Sequence, residues 1–230
     1  MTFHPLQDPP FPSGLRVAVA TARGRPYYYF SSLLRGLGVR FDSILPDHMG
    51  AYGGHLVMTT VPEHPGPRAF LGPALFFEDV SGHPPAVVCG LMVRESGMHP
   101  GPEELVVGID PGQRSGLAIS YCGREIGSSI HSSVDGLVSM VIRVLGGLPA
   151  RRRLVKIGDG DVETACEIAR TLNLRFCSSF EFELVDESRT SPKLKNFNRR
   201  GRRDILSARY ISRRDGRRRH RDVMPLSLTG

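Results

Sequence analysis

The sequence predicts an α/β protein, with a small α/β domain followed by a larger domain that has a mixed five-stranded sheet and flanking helices. Short apolar, β-branched runs alternate along the 230-residue chain with segments whose apolar residues recur at helical spacing. A polar stretch rich in proline and glycine, residues 94–104, interrupts this alternation and marks a domain boundary. Since 40% of the residues are hydrophobic, the chain can bury a substantial core.

The first part of the chain is predicted to consist of an extension, residues 1–14, and a small α/β domain, residues 15–100. Residues 1–14 are rich in proline and lack the apolar segment of a signal peptide, so we expect a flexible extension. In the small domain, residues 15–21, 39–45, 55–60 and 85–93 predict strands and residues 26–37 predict a helix. This order indicates an open parallel sheet, receiver-like or Rossmann-like. The domain has neither a paired phosphoacceptor acid nor a GxGxxG turn, so its role stays open.

The second domain is predicted over residues 105–214, and residues 215–230 are expected to form a basic tail. Its elements follow the order strand, strand, strand, helix, strand, helix, strand, helix. The strands are expected at residues 105–110, 115–122, 124–131 and 153–157 and in a segment ending at residues 183–187, and the helices at 134–145, 162–172 and 202–213. Ser133 and Asp161 are suitable N-caps for the first two helices.

Positive charge is concentrated near the end of the chain. Residues 193–222 contain thirteen lysines and arginines and three aspartates, so this segment carries +10 although the whole chain carries +7. Such a concentration favours a polyanionic partner. Nucleic acid is favoured over a membrane because no amphipathic apolar stripe accompanies the charges.

The cysteines and the hydropathy pattern indicate a cytoplasmic protein without a membrane partner. No segment approaches the roughly 20 apolar residues of a membrane span. The four cysteines form no CxxC pair, which favours buried reduced thiols over a zinc site or a disulfide framework. They are Cys89, Cys122, Cys166 and Cys177.

Acidic residues occur where the strands of the second domain end. Asp110 follows an apolar strand and precedes a Pro-Gly turn, Asp159 follows the fourth strand, and Asp186 and Glu187 end the fifth. Asp204 lies on the last helix, on the same face as small and apolar residues. Because parallel strands bring their carboxyl ends to one edge of a sheet, we expect these acids to lie together.

Clustered carboxylates repel one another, and a bound cation relieves that repulsion. Oxygen ligands select Mg²⁺ or Mn²⁺ over zinc, and two such ions can promote hydrolysis of a phosphodiester. Individually, Asp159 and Asp161 are equally well explained as turn and cap residues. The whole set beside a strongly basic segment favours a metal site.

Three motifs resemble a known family. The segment from Val107 to Gly112, with Gly116-Leu117-Ala118, resembles RuvC-type Holliday junction resolvases. The segment from Val185 to Ser191 is similar to the Asp-Glu-Arg-x-Thr box of the YqgF (RuvX-like) branch, and Arg203 to Ala208 resembles the terminal helix of both. Over residues 105–214 the chain therefore resembles RuvC/YqgF-like proteins of archaeal type, in the ribonuclease H-like superfamily.

The resemblance implies a ribonuclease H-like fold and a Mg²⁺-dependent nuclease. Asp110 matches the first metal ligand and Asp204 the last. Resolvases have a glutamate after the fourth strand, where this chain has Asp159, and the inserted Ser188 leaves open whether Asp186 or Glu187 takes part. The implied catalytic set is Asp110, Asp159, Asp186, Glu187 and Asp204, and the implied metal ligands are Asp110, Asp159, Asp186 and Asp204.

Basic residues around the second and third motifs are expected to bind phosphates without reading sequence. They are Arg189, Lys193, Lys195, Arg199, Arg200, Arg202 and Arg203. The leading hypothesis is an endonuclease of branched DNA, such as a four-way junction, or of structured RNA. The alternatives are a non-catalytic nucleic-acid-binding protein on the same fold and, less favoured, an actin-like ATP-binding phosphotransferase. A homodimer is expected if the substrate is a two-fold symmetric junction.

Overall fold

The computed structural model of the chain describes Phe11 and residues 14–176, 179–187 and 200–219. The chain divides into two compact units, the first ending at Pro100 and the second beginning at Gly101. Each unit combines α-helices with one β-sheet. The prediction of a mixed α/β protein with two sheets is confirmed.

The first unit contains a parallel four-stranded sheet. A parallel sheet was predicted, but its fourth strand is formed by residues 74–76 and not by the predicted residues 85–93. Its strands are β1 (Val17–Ala20), β2 (Phe41–Ile44), β3 (Leu56–Thr59) and β4 (Ala74–Phe76). They lie in the order β2-β1-β3-β4, and every neighbouring pair is parallel. Strands β1 and β3 are buried along their whole length because they carry apolar residues on both faces.

Three α-helices accompany this sheet: α1 (Gly24–Gly36), α2 (Phe77–Val80) and α3 (Pro85–Glu95). Two short 3₁₀ helices lie at Pro46–Ala51 and Val61–Glu63. Phe30 and Leu34 of α1 are fully buried, whereas the side chain of Tyr28 is 74% exposed. The predicted strand at residues 85–93 is wrong, since this segment is α3. Apolar residues are buried on all faces of α3, so its sequence shows no helical periodicity. The proline at its first position is the usual signal of a helix start.

The carboxylate of Glu63 lies between the carboxyl ends of β1 and β3. The chain leaves β1 for β2 on one side and returns to β3 on the other, so this is the point at which doubly wound sheets usually bind ligands. Glu63 accepts hydrogen bonds from the hydroxyls of Thr21 and Thr60 and, at 2.8 Å, from the backbone N–H of Ala22. Partial burial opposes ionisation, but these hydrogen bonds outweigh it and lower the pKa of Glu63.

The second unit contains a mixed sheet. Its strands are β5 (Glu104–Asp110), β6 (Ser115–Tyr121), β7 (Arg124–His131), β8 (Arg152–Gly158), β9 (Glu181–Val185) and β10 (Arg217–Arg219). They lie in the order β10-β9-β8-β5-β6-β7. Strands β5, β8 and β9 are parallel neighbours, while β6, β7 and β10 are antiparallel to the strands they pair with.

The sixth strand, β10, corrects the prediction of five strands and a tail beginning at residue 215. Its arginines show no apolar alternation, so the sequence gives no sign of a strand there. Beside it, the backbone N–H of Gly216 donates to the buried Glu183 carboxylate at 3.1 Å, and the buried Lys156 ammonium donates to the Arg214 carbonyl. These polar contacts, which no periodic pattern reports, fix the chain that leads into β10.

Three helices complete the second unit: α4 (Val134–Gly147), α5 (Val162–Arg175) and α6 (Arg200–Arg213). The predicted N-caps are confirmed, since the Ser133 side chain accepts from the N–H of Gly136 and the Asp161 side chain from the N–H of Thr164. The order of strands and helices through α6 is the predicted one.

Helix α6 packs closely against β5 and β6 because two glycines of these strands leave room for its backbone. A Cβ atom on Gly108 would collide with the carbonyl oxygen of Ala208 and lie 2.6 Å from the Cβ of Ser212. A buried ion pair ties the same helix to β7, with the Arg209 guanidinium 2.7 Å from the Glu125 carboxylate. These contacts fix the position of every side chain that α6 presents to the sheet.

In the described part of the chain, no helix is both long enough and apolar enough to span a bilayer. Cys89 and Cys122 are buried, and Cys166 is partly buried. Cys177 lies outside the described residues.

Replacing Gly108 by alanine is expected to destabilise the protein by about 1–3 kcal/mol, because the new methyl group must push α6 away from the sheet. Urea unfolding of the full chain measures this change. The matched control is Gly112→Ala, where the nearest atom to the new Cβ is 3.8 Å away. Equal stability of the two variants would show that α6 does not depend on this close approach.

Replacing Glu63 by glutamine is expected to lower the melting temperature at neutral pH. A carboxylate whose pKa is lowered on folding stabilises the protein above its unfolded pKa, and this contribution is lost as the pH falls through the lower folded value. Thermal unfolding at neutral and at acidic pH should therefore show a difference from wild type that shrinks in acid. Glu95→Gln, on the last turn of α3, is the control, and a pH-independent difference for Glu63→Gln would contradict the expectation.

Candidate functional site

The candidate site lies at the edge of the second sheet where the parallel strands end. Asp110 is the last residue of β5, and its register partner on β6 is Gly116. Strands β8 and β9 run parallel to β5, so they deliver the residues that follow them to the same edge. The side chain of Asp110 is partly buried.

Glu187 reaches this edge from the segment after β9. Its carboxylate lies against Gly158 and Gly160 at the end of β8, where any Cβ atom would collide with it. The N–H of Gly160 donates to this carboxylate. The N–H of Glu187 in turn donates to Asp159 Oδ1 at 2.9 Å. Asp159 therefore holds the backbone of Glu187 in place, and the two glycines give its side chain room.

Asp204 reaches the site from α6. A Cβ atom on Gly116 would collide with the Asp204 carbonyl oxygen and lie 3.3 Å from the Asp204 Cβ, so the helix backbone is in contact with β6 at this point. One turn further along the helix, the Ser207 hydroxyl donates a hydrogen bond to the Asp110 carboxylate. Helix α6 thus supplies both an acid and a hydrogen-bond donor to the end of β5.

The electrostatics at Asp110 are those of a crowded acidic site. Burial raises the pKa of Asp110 to about 7, and the negative charges of Glu187 and Asp204 add to this effect. The hydrogen bond from Ser207 and the positive charge of Arg203 oppose it but do not cancel it. The described residues therefore do not fully stabilise the negative charge of Asp110 in the folded protein.

The other two carboxylates are perturbed in the same direction. Burial raises the pKa of Glu187, and the neighbouring Asp159 carboxylate adds to this although the Gly160 N–H opposes it. Burial also raises the pKa of Asp204, while Arg114 and Arg203 act in the opposite sense. In all three groups the charged form is therefore less favourable than it would be in water, and a bound cation would reverse this effect.

The structure distributes the predicted acids unevenly. It brings Glu187 and Asp204 within electrostatic reach of Asp110, and Asp159 contacts Glu187. Asp186 is exposed to solvent, next to the inward-facing Glu187. Asp161 caps α5 through both carboxylate oxygens, which accept from the N–H and the hydroxyl of Thr164.

The predicted phosphate-binding residues are only partly described. Arg203 is exposed on the first turn of α6, close to Asp110 and Asp204. Arg200 and Arg202 belong to the same turn. Arg189, Lys193, Lys195 and Arg199 lie outside the described residues.

Two residues of the site were not predicted from the sequence. Ser207 belongs to the small and apolar face of α6, and its hydrogen bond to Asp110 depends on the packing of the helix. Arg114, in the turn between β5 and β6, places a positive charge near Asp204. Its position four residues after Asp110 was the available signal, since a tight hairpin returns the chain past the same strand end.

The donor set fits a hard divalent cation in its chemistry, because it consists of carboxylate oxygens that are short of compensating positive charge. Among the described residues, no three acidic, histidine or cysteine side chains already converge at metal-binding spacing. Binding of Mg²⁺ or Mn²⁺ by Asp110, Glu187 and Asp204 would therefore require these carboxylates to draw closer together.

Comparison with known proteins identifies no relative, since no protein-family model matches the chain and no curated protein matches it.

Replacing Asp110 by asparagine is expected to raise the melting temperature in the absence of divalent ions, and to raise it more at about pH 8 than at about pH 5. A carboxyl group whose pKa rises on folding is least unfavourable below its unfolded pKa, and its cost grows as the pH rises towards its folded value of about 7. At about 1.4 kcal/mol per pKa unit the gain is at most about 4 kcal/mol.

Thermal unfolding in a chelating buffer measures this effect. The control is Asp135→Asn on α4, whose side chain is 89% exposed. A pH-independent difference between Asp110→Asn and wild type would show that Asp110 ionises normally.

Proposed function

We propose that this chain is a Mg²⁺-dependent endonuclease that hydrolyses phosphodiester bonds in structured nucleic acid, namely branched DNA or folded RNA. The observation that carries the proposal is the meeting of Asp110, Glu187 and Asp204, which come from three separate elements, at one edge of the sheet. The pKa of all three is raised, and that of Asp110 is raised in part by the other two. Such a cluster costs stability, which is typical of a functional site.

The resemblance to the ribonuclease H-like superfamily supports this proposal. The second unit has three antiparallel strands followed by helix, strand, helix, strand and helix, which is the order that the resemblance implies. Asp110 and Asp204 occupy the positions that match the first and last ligands of that family. For the position between them, the geometry favours Glu187 over Asp186, because the Asp186 side chain is exposed.

The residues of the site have complementary roles in this mechanism. Asp110, Glu187 and Asp204 would hold the metal, which when bound neutralises charge and polarises the scissile phosphate. Ser207 orients Asp110 through its hydrogen bond, and Asp159 holds the backbone of Glu187. These contacts position the acids before substrate binds.

The positive groups beside the acids bind the substrate. Arg203 and Arg114 are both exposed, so they can meet a phosphate backbone in solvent while lying near Asp204. Arginine contacts to phosphates give affinity without sequence selectivity, which suits an enzyme that recognises the shape of a nucleic acid.

The deciding experiment incubates the protein with duplex, fork, four-way junction and RNA hairpin substrates, with and without Mg²⁺. We expect cleavage of at least one branched or folded substrate only with Mg²⁺. Asp110→Asn and Asp204→Asn should each reduce the rate by about 100-fold or more, since loss of a metal ligand is expected to cost more than loss of a residue that only orients a ligand. The exposed Asp135→Asn should cleave at the wild-type rate. Unchanged cleavage by Asp110→Asn would place the active site elsewhere.

A second candidate function is non-catalytic binding of nucleic acid on the same scaffold. It is favoured by the exposed Arg203 and Arg114 beside the acids, which can bind phosphates whether or not a metal ion is held there. In that case the same substrates bind without being cut, and Asp110→Asn binds them at least as tightly as wild type because a negative charge has been removed.

A further inference from the structure

A second basic surface lies in the first unit, at the opposite edge of its sheet from Glu63. There a groove of about 800 Å³ is formed by the start of β1, the start of β2 and the end of α1. We call it the amino-edge groove. The residues that line it are Gly14, Leu15, Arg16, Val17, Arg35, Val39, Arg40, Phe41 and Asp42.

Three arginines from three different segments line the amino-edge groove. Arg16 precedes β1, Arg35 lies in the last turn of α1, and Arg40 precedes β2, and all three are exposed. No ion pair joins any of them to an acidic residue within the described residues of this unit. By contrast, Arg152 and Arg209 of the second unit each pair with a glutamate at 2.7 Å. The groove therefore gathers three positive charges, against which its lining offers one carboxylate.

Two of these guanidinium groups are held in place. The Arg16 guanidinium donates to the carbonyl oxygen of Gly53, and the Arg35 guanidinium lies over the ring of Phe41 at 5.8 Å from its centroid. An arginine has five N–H donors, so a single carbonyl contact leaves Arg16 able to bind an anion. The Asp42 carboxylate is the one negative group of the lining, and it lies 3.4 Å from the hydroxyl of Tyr52.

The shape and polarity of the groove indicate an extended ligand. Its volume is within the range of ligand sites and is much larger than one phosphate requires. The end of α1 that faces it is the carboxyl end, where the helix dipole disfavours a lone anion. The positive charge comes from spread arginine side chains, and these match a chain of phosphates better than a single one.

We infer that the amino-edge groove binds the phosphate backbone of single-stranded nucleic acid, through Arg16, Arg35 and Arg40. Phe41 and the stacked Arg35 provide flat surfaces of the kind that bases pack on in single-strand-binding proteins. The inference rests on the proposed function only in naming nucleic acid as the ligand. It gives the first unit a role in holding the unpaired strand of a branched substrate.

The test is fluorescence anisotropy of a labelled oligothymidylate with the full chain in a chelating buffer, where metal-dependent cleavage cannot occur. The double variant Arg35→Ala/Arg40→Ala should bind about tenfold more weakly than wild type. The slope of log affinity against log salt concentration should be shallower for this variant by about 1.4, because two phosphate contacts are lost and each contributes about 0.7 on a single strand. Arg68→Ala, which removes an exposed arginine of the same unit outside the groove, is the matched control and should bind like wild type.

Several outcomes would overturn the inference. The first is equal affinity and equal salt dependence of the double variant and Arg68→Ala, with thermal unfolding showing that both are folded. The second is displacement of the oligonucleotide by an equal concentration of adenosine diphosphate, which would indicate a small-nucleotide site. The third concerns the double variant Arg35→Lys/Arg40→Lys, which keeps both positive charges. It should recover the steeper salt dependence of wild type, so binding as weak and a salt dependence as shallow as those of the alanine variant would contradict the inference.

The assay is independent of the nuclease proposal. If no substrate is cleaved with Mg²⁺ but the double variant binds oligothymidylate more weakly, the nuclease proposal fails and the groove inference stands. If cleavage depends on Asp110 but binding is unaffected by Arg35 and Arg40, the groove inference alone fails.

Discussion

The close approach of helix α6 to strands β5 and β6 is the constraint on which the second unit depends. At Gly108 and Gly116 the helix backbone occupies the space that a side chain would fill. Because α6 cannot move without opening this contact, the positions of Asp204 and Ser207 relative to Asp110 are set by backbone packing. The buried pair between Arg209 and Glu125 prevents the helix from sliding along the sheet.

This packing creates the electrostatic cost of the site. The packing of α6 against the end of β5 buries Asp110 and places a second carboxylate beside it. Both effects disfavour the charged form of Asp110, and the hydrogen bond from the Ser207 hydroxyl offsets only part of this cost. Arg203 and Arg114 are exposed, so solvent screens much of their charge. The clustered carboxylates are therefore only partly neutralised by Arg203 and Arg114. A buried arginine such as Arg209 would neutralise them more fully.

The sequence predicted those parts of the structure that follow from regular patterns. Strand ends and helix caps were predicted because alternation and cap residues are local, and the parallel strands then required that acids after them share an edge. The distinction between Asp186 and Glu187 could not be predicted, because one residue of register decides which side chain faces inward. The helix at residues 85–95 was missed because burial on all sides removes the period, and β10 was missed because polar contacts to Lys156 and Glu183 fix the chain beside it.

The hydrogen bonds of Glu63 have a consequence for how the first unit behaves in a cell. A carboxylate that belongs to the chain is present at a high effective concentration and is never diluted, so the crevice between β1 and β3 is filled at any level of free metabolites. Doubly wound sheets usually bind their ligands in this crevice. Here the Glu63 carboxylate already accepts these hydrogen bonds, so a diffusing anion would have to displace it.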